Sequence, residues 1–297
     1  MAAGKKNKVY VQFPKTGLGN MMLVWAKGML FAKINGLPFV TSSWWGLHWG
    51  ALLRRENKSR LYMGYFKETG ITQRVFIKWQ LLFYKIIREP QVSLIQEVNN
   101  QKTIFLFNQV ITHQDLFGEL RPYQSLISRE LYGILTLQMR NQLKKYAAPV
   151  VGAHIRRGDF KLGNQTTALD FFSKAIKLIR ESVNEIVPVT VFTDADPSEI
   201  SELAELPGIE MAAPKPDILD ILLLSKSQII ITSRSSTFSY WAAFLSDALV
   251  IRPHNDWQEK IKFAGEGENY CEIKWDEMNK NGTENLVRAL KARKISS

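Results

Sequence analysis

Three apolar segments in the second half of the chain constrain the fold most, because each one ends abruptly in polar residues. They are "PVVGAHI" (149–155), "VPVTVF" (187–192) and "QIIIT" (228–232), and they run into an arginine pair, an aspartate pair and a hydroxyl-rich stretch respectively. Segments with helical periodicity separate them. This alternation predicts parallel strands with helical crossovers, whose carboxyl ends gather at the ligand-binding edge of an α/β sheet.

The first half begins with a similar alternation. "KVYVQF" (8–13) predicts a strand, "MMLVWAKGMLFAKING" (21–36) a helix and "LPFVTS" (37–42) a second strand. Because the pattern restarts after residue 147, we predict two α/β domains, residues 1–147 on the acceptor side and 148–297 for the donor.

The segment "RVFIKWQLLFYKIIREP" (74–90) combines many apolar residues with regularly spaced basic ones. We predict a helix that packs on the core and turns its basic side to water. An interfacial helix resting on anionic lipid is the alternative.

The charge and cysteine content narrow the class of protein. A net charge of +11 favours a polyanionic partner such as a phosphorylated ligand, an anionic membrane or a nucleic acid. Cys271 is the single cysteine, so we expect no internal disulfide and a reducing compartment. Without a signal-like segment or a long apolar stretch, we expect a cytoplasmic protein, with peripheral contact at the inner face of a membrane as a further expectation.

Arg156 and Arg157 follow the strand predicted at 149–155. Each guanidinium offers a planar fork of donors that suits a phosphate or carboxylate, so we predict an anion site. Asp159 orients an arginine or acts as a base in this interpretation. An arginine–aspartate ion pair closing a surface turn is the alternative.

Asp194 and Asp196 allow two interpretations. They match the DxD pattern that ties nucleotide-sugar phosphates to a divalent metal in one class of transferase. Alternatively, one carboxylate accepts hydrogen bonds from a base edge while Asp196 or Ser198 caps the helix that follows.

The stretch "SRSSTFSYW" (233–241) places hydroxyl side chains at the start of a predicted helix. Backbone N–H groups and hydroxyls at a helix N-terminus bind anions, so this stretch and the arginine pair predict one shared phosphate site. Ordinary capping by Ser235 or Ser236 is the alternative.

Four motifs in order resemble the GDP-fucose-dependent fucosyltransferases of the bacterial α-1,2 type, glycosyltransferase family 11. They are "GLGN" (17–20), "HIRRGDF" (154–160), "VFTDADPSEI" (191–200) and "IITSRSSTFSYWAAFL" (230–245). The chain departs from the family pattern in "TGLGNM" and in the "RS" at 234–235.

The resemblance implies a GT-B-like architecture of two facing Rossmann-like domains, and an inverting transfer that needs no metal or other cofactor. It assigns Arg156 to the β-phosphate of GDP-fucose, Arg157 to bracing the loop, and Asp159 to deprotonating the acceptor. The other donor-binding residues that it implies are Asn20, His154, Asp194, Ser236, Thr237 and Phe238.

We expect the acceptor to be a glycan, most directly the 2-hydroxyl of galactose in a surface polysaccharide or O-antigen, with a lipid-linked form included. The first domain offers an aromatic cluster that suits a sugar ring. It comprises Trp44, Trp45, His48 and Trp49. Packing in the core is the alternative interpretation of this cluster.

Three competing functions remain open at this point. "FPKTG" (13–17) resembles the phosphate loop of PAPS-dependent sulfotransferases, although that interpretation leaves "HIRRGD" without a role. The DxD pattern permits a metal-dependent glycosyltransferase. The basic charge permits a nucleic-acid-binding protein, but the basic residues are dispersed and no nucleic-acid-binding module is recognisable, so we expect no nucleic-acid partner.

Overall fold

The computed structural model describes most of the chain and divides it into two compact units. One unit covers the described residues up to 139 and the other those from 140 onward. The division predicted from the sequence lies at residue 147, and the acceptor and donor sides assigned to the units stay predictions. The described residues are 7–46, 61–94, 101–110, 115–158, 166–254, 256–263, 270–275 and 287.

The first unit contains a parallel sheet with the strand order β2–β1–β4–β3. Helices α1 and α2 accompany the sheet, and α3 and α4 follow it. The elements are β1 (Lys8–Val11), α1 (Leu18–Ile34), β2 (Phe39–Thr41), α2 (Ile71–Gln80), β3 (Lys85–Arg88), β4 (Thr103–Phe107), α3 (Gln124–Ile134) and α4 (Leu137–Leu143), which begins in the first unit and ends in the second.

Helix α1 forms the centre of the first unit, since its residues from Leu18 to Ala32 are buried almost without interruption. Gly28 lets the helix approach β1 closely. A Cβ atom at this position would lie 2.3 Å from the Cγ2 atom of Val11, so any larger residue would push the helix off the sheet.

The predicted helix over residues 74–90 is wrong in its extent. Helix α2 ends at Gln80, a turn follows, and β3 begins at Lys85. The apolar residues of this segment belong to two elements, a helix and a strand of the sheet, and a single helical period cannot describe both. Residues 121–143 form the 3₁₀ turn Arg121–Tyr123 followed by α3 and α4.

The second unit contains a larger parallel sheet with the strand order β10–β9–β8–β5–β6–β7. Short strands β7 and β10 at its two edges were not predicted from the sequence. The elements are β5 (Val151–Ile155), α5 (Leu169–Val183), β6 (Val189–Thr193), α6 (Ser201–Ala204), β7 (Ile209–Met211), α7 (Asp217–Leu224), β8 (Ile229–Ile231), α8 (Thr237–Leu245), β9 (Leu249–Arg252) and β10 (Cys271–Lys274).

The order of these strands locates the ligand edge. From β5 the chain moves outward through β6 and β7, then returns to the other side of β5 and moves outward through β8, β9 and β10. This is the strand order of a Rossmann fold, and the direction of winding reverses between β5 and β8. In open parallel sheets, ligands bind at this switch point, beyond the carboxyl ends of the strands.

The central strands are mostly hydrophobic, as is typical of strands covered on both faces, with His154 in β5 and Arg252 in β9 as the buried polar exceptions. All residues of β5, β8 and β9 are buried. The prediction of an α/β fold with two Rossmann-like units is confirmed. No helix among the described residues has the length and apolar character needed to cross a bilayer.

Candidate active site

Arg156 is the first residue after β5, and its main chain is fixed from the neighbouring strand. The Arg156 N–H donates to the Ser233 hydroxyl at 2.9 Å, and this hydroxyl donates to the His154 carbonyl at 2.7 Å. Because Ser233 follows β8, the two bonds join β5 to β8 across the switch point. Arg156 therefore starts from a rigid position at the predicted ligand edge.

Asp194 holds the side chain of Arg156. One carboxylate oxygen of Asp194 accepts from the Arg156 Nη1 atom at 2.6 Å, and the other accepts from the Arg157 backbone N–H at 2.7 Å. A guanidinium has five donors, so it can bind a carboxylate and another anionic group at the same time. About a quarter of the Arg156 side chain, 23%, is exposed to solvent.

Gly158 allows this arrangement because its lack of a side chain makes room for Asp194. A Cβ atom at residue 158 would lie 2.4 Å from the Oδ2 atom of Asp194, the atom that binds Arg156. Residue 158 is therefore a glycine because the Asp194 carboxylate occupies the space of a side chain, and not because the backbone is left-handed.

The loop between β8 and α8 supplies hydroxyl groups at the same edge. Ser236 is buried at the N-terminus of α8, and its side chain makes no capping hydrogen bond. Thr237 begins the helix and is partly exposed. Ser235 adopts a left-handed conformation with φ of 56°, which is unfavourable for a residue with a side chain.

A buried network stabilises this strained loop. The Tyr240 hydroxyl accepts from the Ser235 N–H at 2.7 Å and donates to the Asp256 carboxylate, which also binds Arg252 at 2.8 Å. Burial and the neighbouring Asp256 charge raise the pKa of Tyr240 well above its usual 10.0. The phenol therefore remains a donor at all physiological pH values, and Trp257 adds a bond to the Ser235 hydroxyl at 2.6 Å.

Two further arginines at this edge carry buried donors. Within the described part of the chain, the Nε atoms of Arg157 and Arg234 are buried and have no hydrogen-bond partner. The Arg234 backbone is fixed by a bond from its N–H to the Thr167 hydroxyl at 2.9 Å. Because an unsatisfied buried donor is costly, this arrangement favours an anionic ligand at the edge.

The remaining donor-side residues are placed as follows. His154 is buried near the end of β5, and its ring stacks on Phe238 with centroids 4.6 Å apart. Asp196 is exposed and forms a reciprocal capping box with Glu199 at the 3₁₀ turn Pro197–Glu199. The capping interpretation thus accounts for Asp196 without a metal.

No group of three His, Cys, Asp or Glu side chains that could hold a metal ion occurs among the residues that the structure describes. The predicted independence of metals stays a prediction. Asp159, predicted as the base, lies outside the described residues.

The first unit contains the other predicted site residues. Asn20 lies in the first turn of α1 and is partly exposed. Trp44 is only 1% exposed and packs against Phe13 and Phe66, so its ring faces contact protein, as in the core-packing alternative. Trp45 is 52% exposed and stays a candidate for stacking on a sugar. His48 and Trp49 lie outside the described residues.

Sequence reasoning missed several residues that build the site. Ser233, Gly158 and Thr167 act through backbone contacts or through lack of a side chain, so their residue types alone gave no signal. Arg234 lies inside a quoted motif but was noted only as a departure from a pattern. Its signal was its position shortly after a buried strand, since only Thr232 and Ser233 separate it from the end of β8.

Two α/β units, the second with an arginine fixed at its switch point, place the chain in the GT-B-like fold class. The sequence profile of glycosyl transferase family 11 matches residues 49–279, which is more than half of the chain. The chain belongs to this family. No curated protein sequence matches it significantly.

The solved structures that resemble this chain have low sequence identity to it. The NodZ alpha-1,6-fucosyltransferase soaked with GDP-fucose has a TM-score of 0.51 and 14% identity, over 86% of this chain and 98% of that one. POFUT1 in complex with GDP-fucose has a TM-score of 0.51 and 13% identity, over 80% and 95%. A structure of fucosyltransferase NodZ from Bradyrhizobium has a TM-score of 0.47 and 13% identity, over 82% and 94%.

Proposed function

We propose that this protein is an inverting, metal-independent fucosyltransferase that moves fucose from GDP-fucose to a glycan hydroxyl. The proposed acceptor is the 2-hydroxyl of a galactoside in a surface polysaccharide or O-antigen. Membership of glycosyl transferase family 11 supports sugar transfer. The same fold in NodZ and POFUT1, whose structures were determined with GDP-fucose, supports this choice of donor.

The arrangement of Arg156 is the observation that carries the proposal. Its backbone is pinned by Ser233 and its guanidinium by Asp194, at the point where a Rossmann-like sheet binds ligands. Departing GDP gains negative charge at the β-phosphate as the bond to fucose breaks. A donor fork held in place beforehand stabilises this charge without reorganising during the reaction.

The proposed step is a single displacement at C1 of fucose. The acceptor oxygen attacks C1 from the face opposite GDP, the bond between C1 and the phosphate oxygen breaks, and its electron pair leaves with GDP. The acceptor proton passes to a base, for which Asp159 is our candidate. Attack from the opposite face inverts the configuration at C1.

Other residues take supporting roles in this proposal. Ser236, Thr237 and the backbone of Phe238 bind the pyrophosphate at the N-terminus of α8, and Arg157 braces the loop. His154 and Asp194 contact the guanosine end. Asn20 is a further proposed donor-binding residue, and the reaction needs no cofactor.

The acceptor site and the place of action are also proposed. Trp45 stacks on an acceptor sugar ring together with His48 and Trp49. We place the reaction in the cytoplasm at the inner face of a membrane, where lipid-linked glycans present their hydroxyls.

The test compares turnover of Arg156→Ala and Arg156→Lys with the unchanged protein, measured as GDP release from GDP-fucose with a panel of galactosides. Both variants should lose at least about 100-fold in kcat, since a lysine cannot bind Asp194 and a phosphate with one planar fork. Lys174→Ala, on the exposed face of α5, removes equal charge and serves as the control. Near-normal turnover of either Arg156 variant would refute the phosphate role.

A further inference from the structure

Helix α2 and the turn after it expose an unusually large apolar surface, which we call the α2 apolar face. Each of its six side chains is between 53% and 75% exposed. Scattered exposed apolar residues are normal, but a contiguous patch of large ones marks an interaction site. The α2 apolar face consists of Ile71, Val75, Phe76, Trp79, Leu82 and Phe83.

This surface is separate from the side of α2 that packs on the sheet. Ile77 and Gln80 are the buried residues of the helix, and Ile77 packs with Tyr10 and Val40 in the core of the first unit. Ile71, Val75 and Trp79 are spaced four residues apart and therefore share another side of the helix. The helix thus has two apolar sides, and packing in the core of the first unit accounts only for the side that contains Ile77.

The aromatic residues on this surface contact one another. The Phe76 and Trp79 rings stack with centroids 6.3 Å apart, and Trp79 lies 4.8 Å from Phe83. They form a connected, exposed aromatic ridge. Tryptophan and phenylalanine on the apolar side of a surface helix are typical of helices that lie in a membrane interface.

Basic residues accompany the α2 apolar face. The segment 71–88 contains no aspartate or glutamate, and its Lys78, Lys85 and Arg88 are exposed. The ammonium group of Lys8 lies 5.1 Å from the centre of the Phe76 ring. Arg74 differs, because it forms an ion pair with Glu68 at 2.8 Å. The charge around the aromatic ridge is therefore positive and complements an anionic surface.

We propose that the α2 apolar face docks this protein on a membrane surface rich in anionic phospholipid. The aromatic ridge inserts at the boundary between headgroups and acyl chains, while Lys78, Lys85 and Arg88 contact lipid phosphates. We choose a membrane over a protein partner because an apolar ridge surrounded by positive charge complements an anionic bilayer. The proposal does not depend on the transfer chemistry.

The first test measures co-sedimentation of the full chain with lipid vesicles. Vesicles of phosphatidylcholine with about one quarter phosphatidylglycerol should bind the protein, and phosphatidylcholine alone should bind it at least about tenfold less. Binding should weaken as sodium chloride is raised, because salt screens the lysine and arginine contacts. Equal binding to both vesicle types, or to neither, would overturn the proposal.

Variants assign the binding to this surface. Trp79→Ser combined with Phe83→Ser should lower vesicle binding by about tenfold or more, and Lys78→Ser alone by about fivefold. Ile186→Ser, which removes a similarly exposed side chain in the second unit, should bind as the unchanged chain does. The melting temperature of each variant reports whether it folds, independently of any donor ligand.

Self-association is the competing explanation of the exposed face. Sedimentation velocity without lipid should show a monomer for both the unchanged chain and the Trp79→Ser, Phe83→Ser variant. A dimer that this variant abolishes, together with unchanged vesicle binding, would overturn the proposal and assign the face to a second copy of the chain.

Discussion

Replacing Gly158 by alanine should disable the site without adding or removing any polar group. The new Cβ atom would lie 2.4 Å from the Oδ2 atom of Asp194, and ordinary contact requires about 1 Å more. The same oxygen holds the Arg156 Nη1 atom at 2.6 Å. The carboxylate must therefore move, and the guanidinium loses its fixed position.

A displacement of about 1 Å in a catalytic group costs on the order of 100-fold in rate. We expect Gly158→Ala to lower kcat for transfer from GDP-fucose by about this factor. The melting temperature should change little, because the clash lies in a partly exposed loop. Steady-state kinetics and thermal unfolding of the same preparations measure the two effects.

The control is Gly133→Ala in helix α3, where an added Cβ atom meets nothing within 4 Å. This variant should keep its kcat and gain up to about 1 kcal/mol in stability, as alanine favours a helix over glycine. In an Asp194→Ala background, which already has low activity, Gly158→Ala should have no further effect. A kcat for Gly158→Ala within about threefold of the unchanged enzyme would refute the positioning argument.

Four other predictions concern stability and metal use. Tyr240→Phe should lower the free energy of unfolding by about 2 kcal/mol in urea denaturation, because Asp256 loses a buried donor; an unchanged value would contradict this. The pKa values of Tyr240 and Tyr270 are raised in the folded state, so the folded chain holds these protons more tightly than the unfolded chain does. The free energy of unfolding should therefore be constant below about pH 10 and fall above it, by up to about 1.4 kcal/mol per pH unit for each tyrosine. A denaturation series across this range checks the slope, which Tyr240→Phe should reduce. Trp44→Ala should cost about 3–5 kcal/mol, as expected for a fully buried ring, and a smaller loss would favour a role in acceptor binding. Asp196→Ala should leave GDP binding by calorimetry unchanged and cost about 1 kcal/mol through the lost cap, whereas loss of a metal-dependent signal would support the DxD interpretation.

The donor-side edge was the most predictable part of the molecule. Buried parallel strands are apolar segments of the sequence, and the residue type changes where each segment ends. This one signal predicted that Arg156, Asp194 and the hydroxyls near Ser236 lie at the same edge, while their roles in binding stay predictions. The sequence did not reveal that Asp194 binds Arg156. That contact depends on which strands are neighbours in the sheet, and no local sequence pattern specifies the strand order.

Other features resisted prediction for physical reasons. The segment 74–90 was misassigned because its apolar residues belong to two elements, helix α2 and strand β3, and one helical period cannot describe both. Trp44 and Trp45 are adjacent in the sequence, yet one is buried and the other half exposed. Residue type does not distinguish a core tryptophan from an exposed one, and only packing decides between them.

Calorimetric titration of the purified chain tests the central claim most directly. The ligands are GDP-fucose, GDP, UDP-galactose and PAP, the adenosine bisphosphate product of sulfotransferases, each titrated with and without EDTA. The account predicts that only the two guanine nucleotides bind, that EDTA has no effect, and that Arg156→Ala weakens both. Binding that requires a metal would support the DxD glycosyltransferase, and binding of PAP the sulfotransferase. Either result, or no binding by any of the four ligands, would contradict the account.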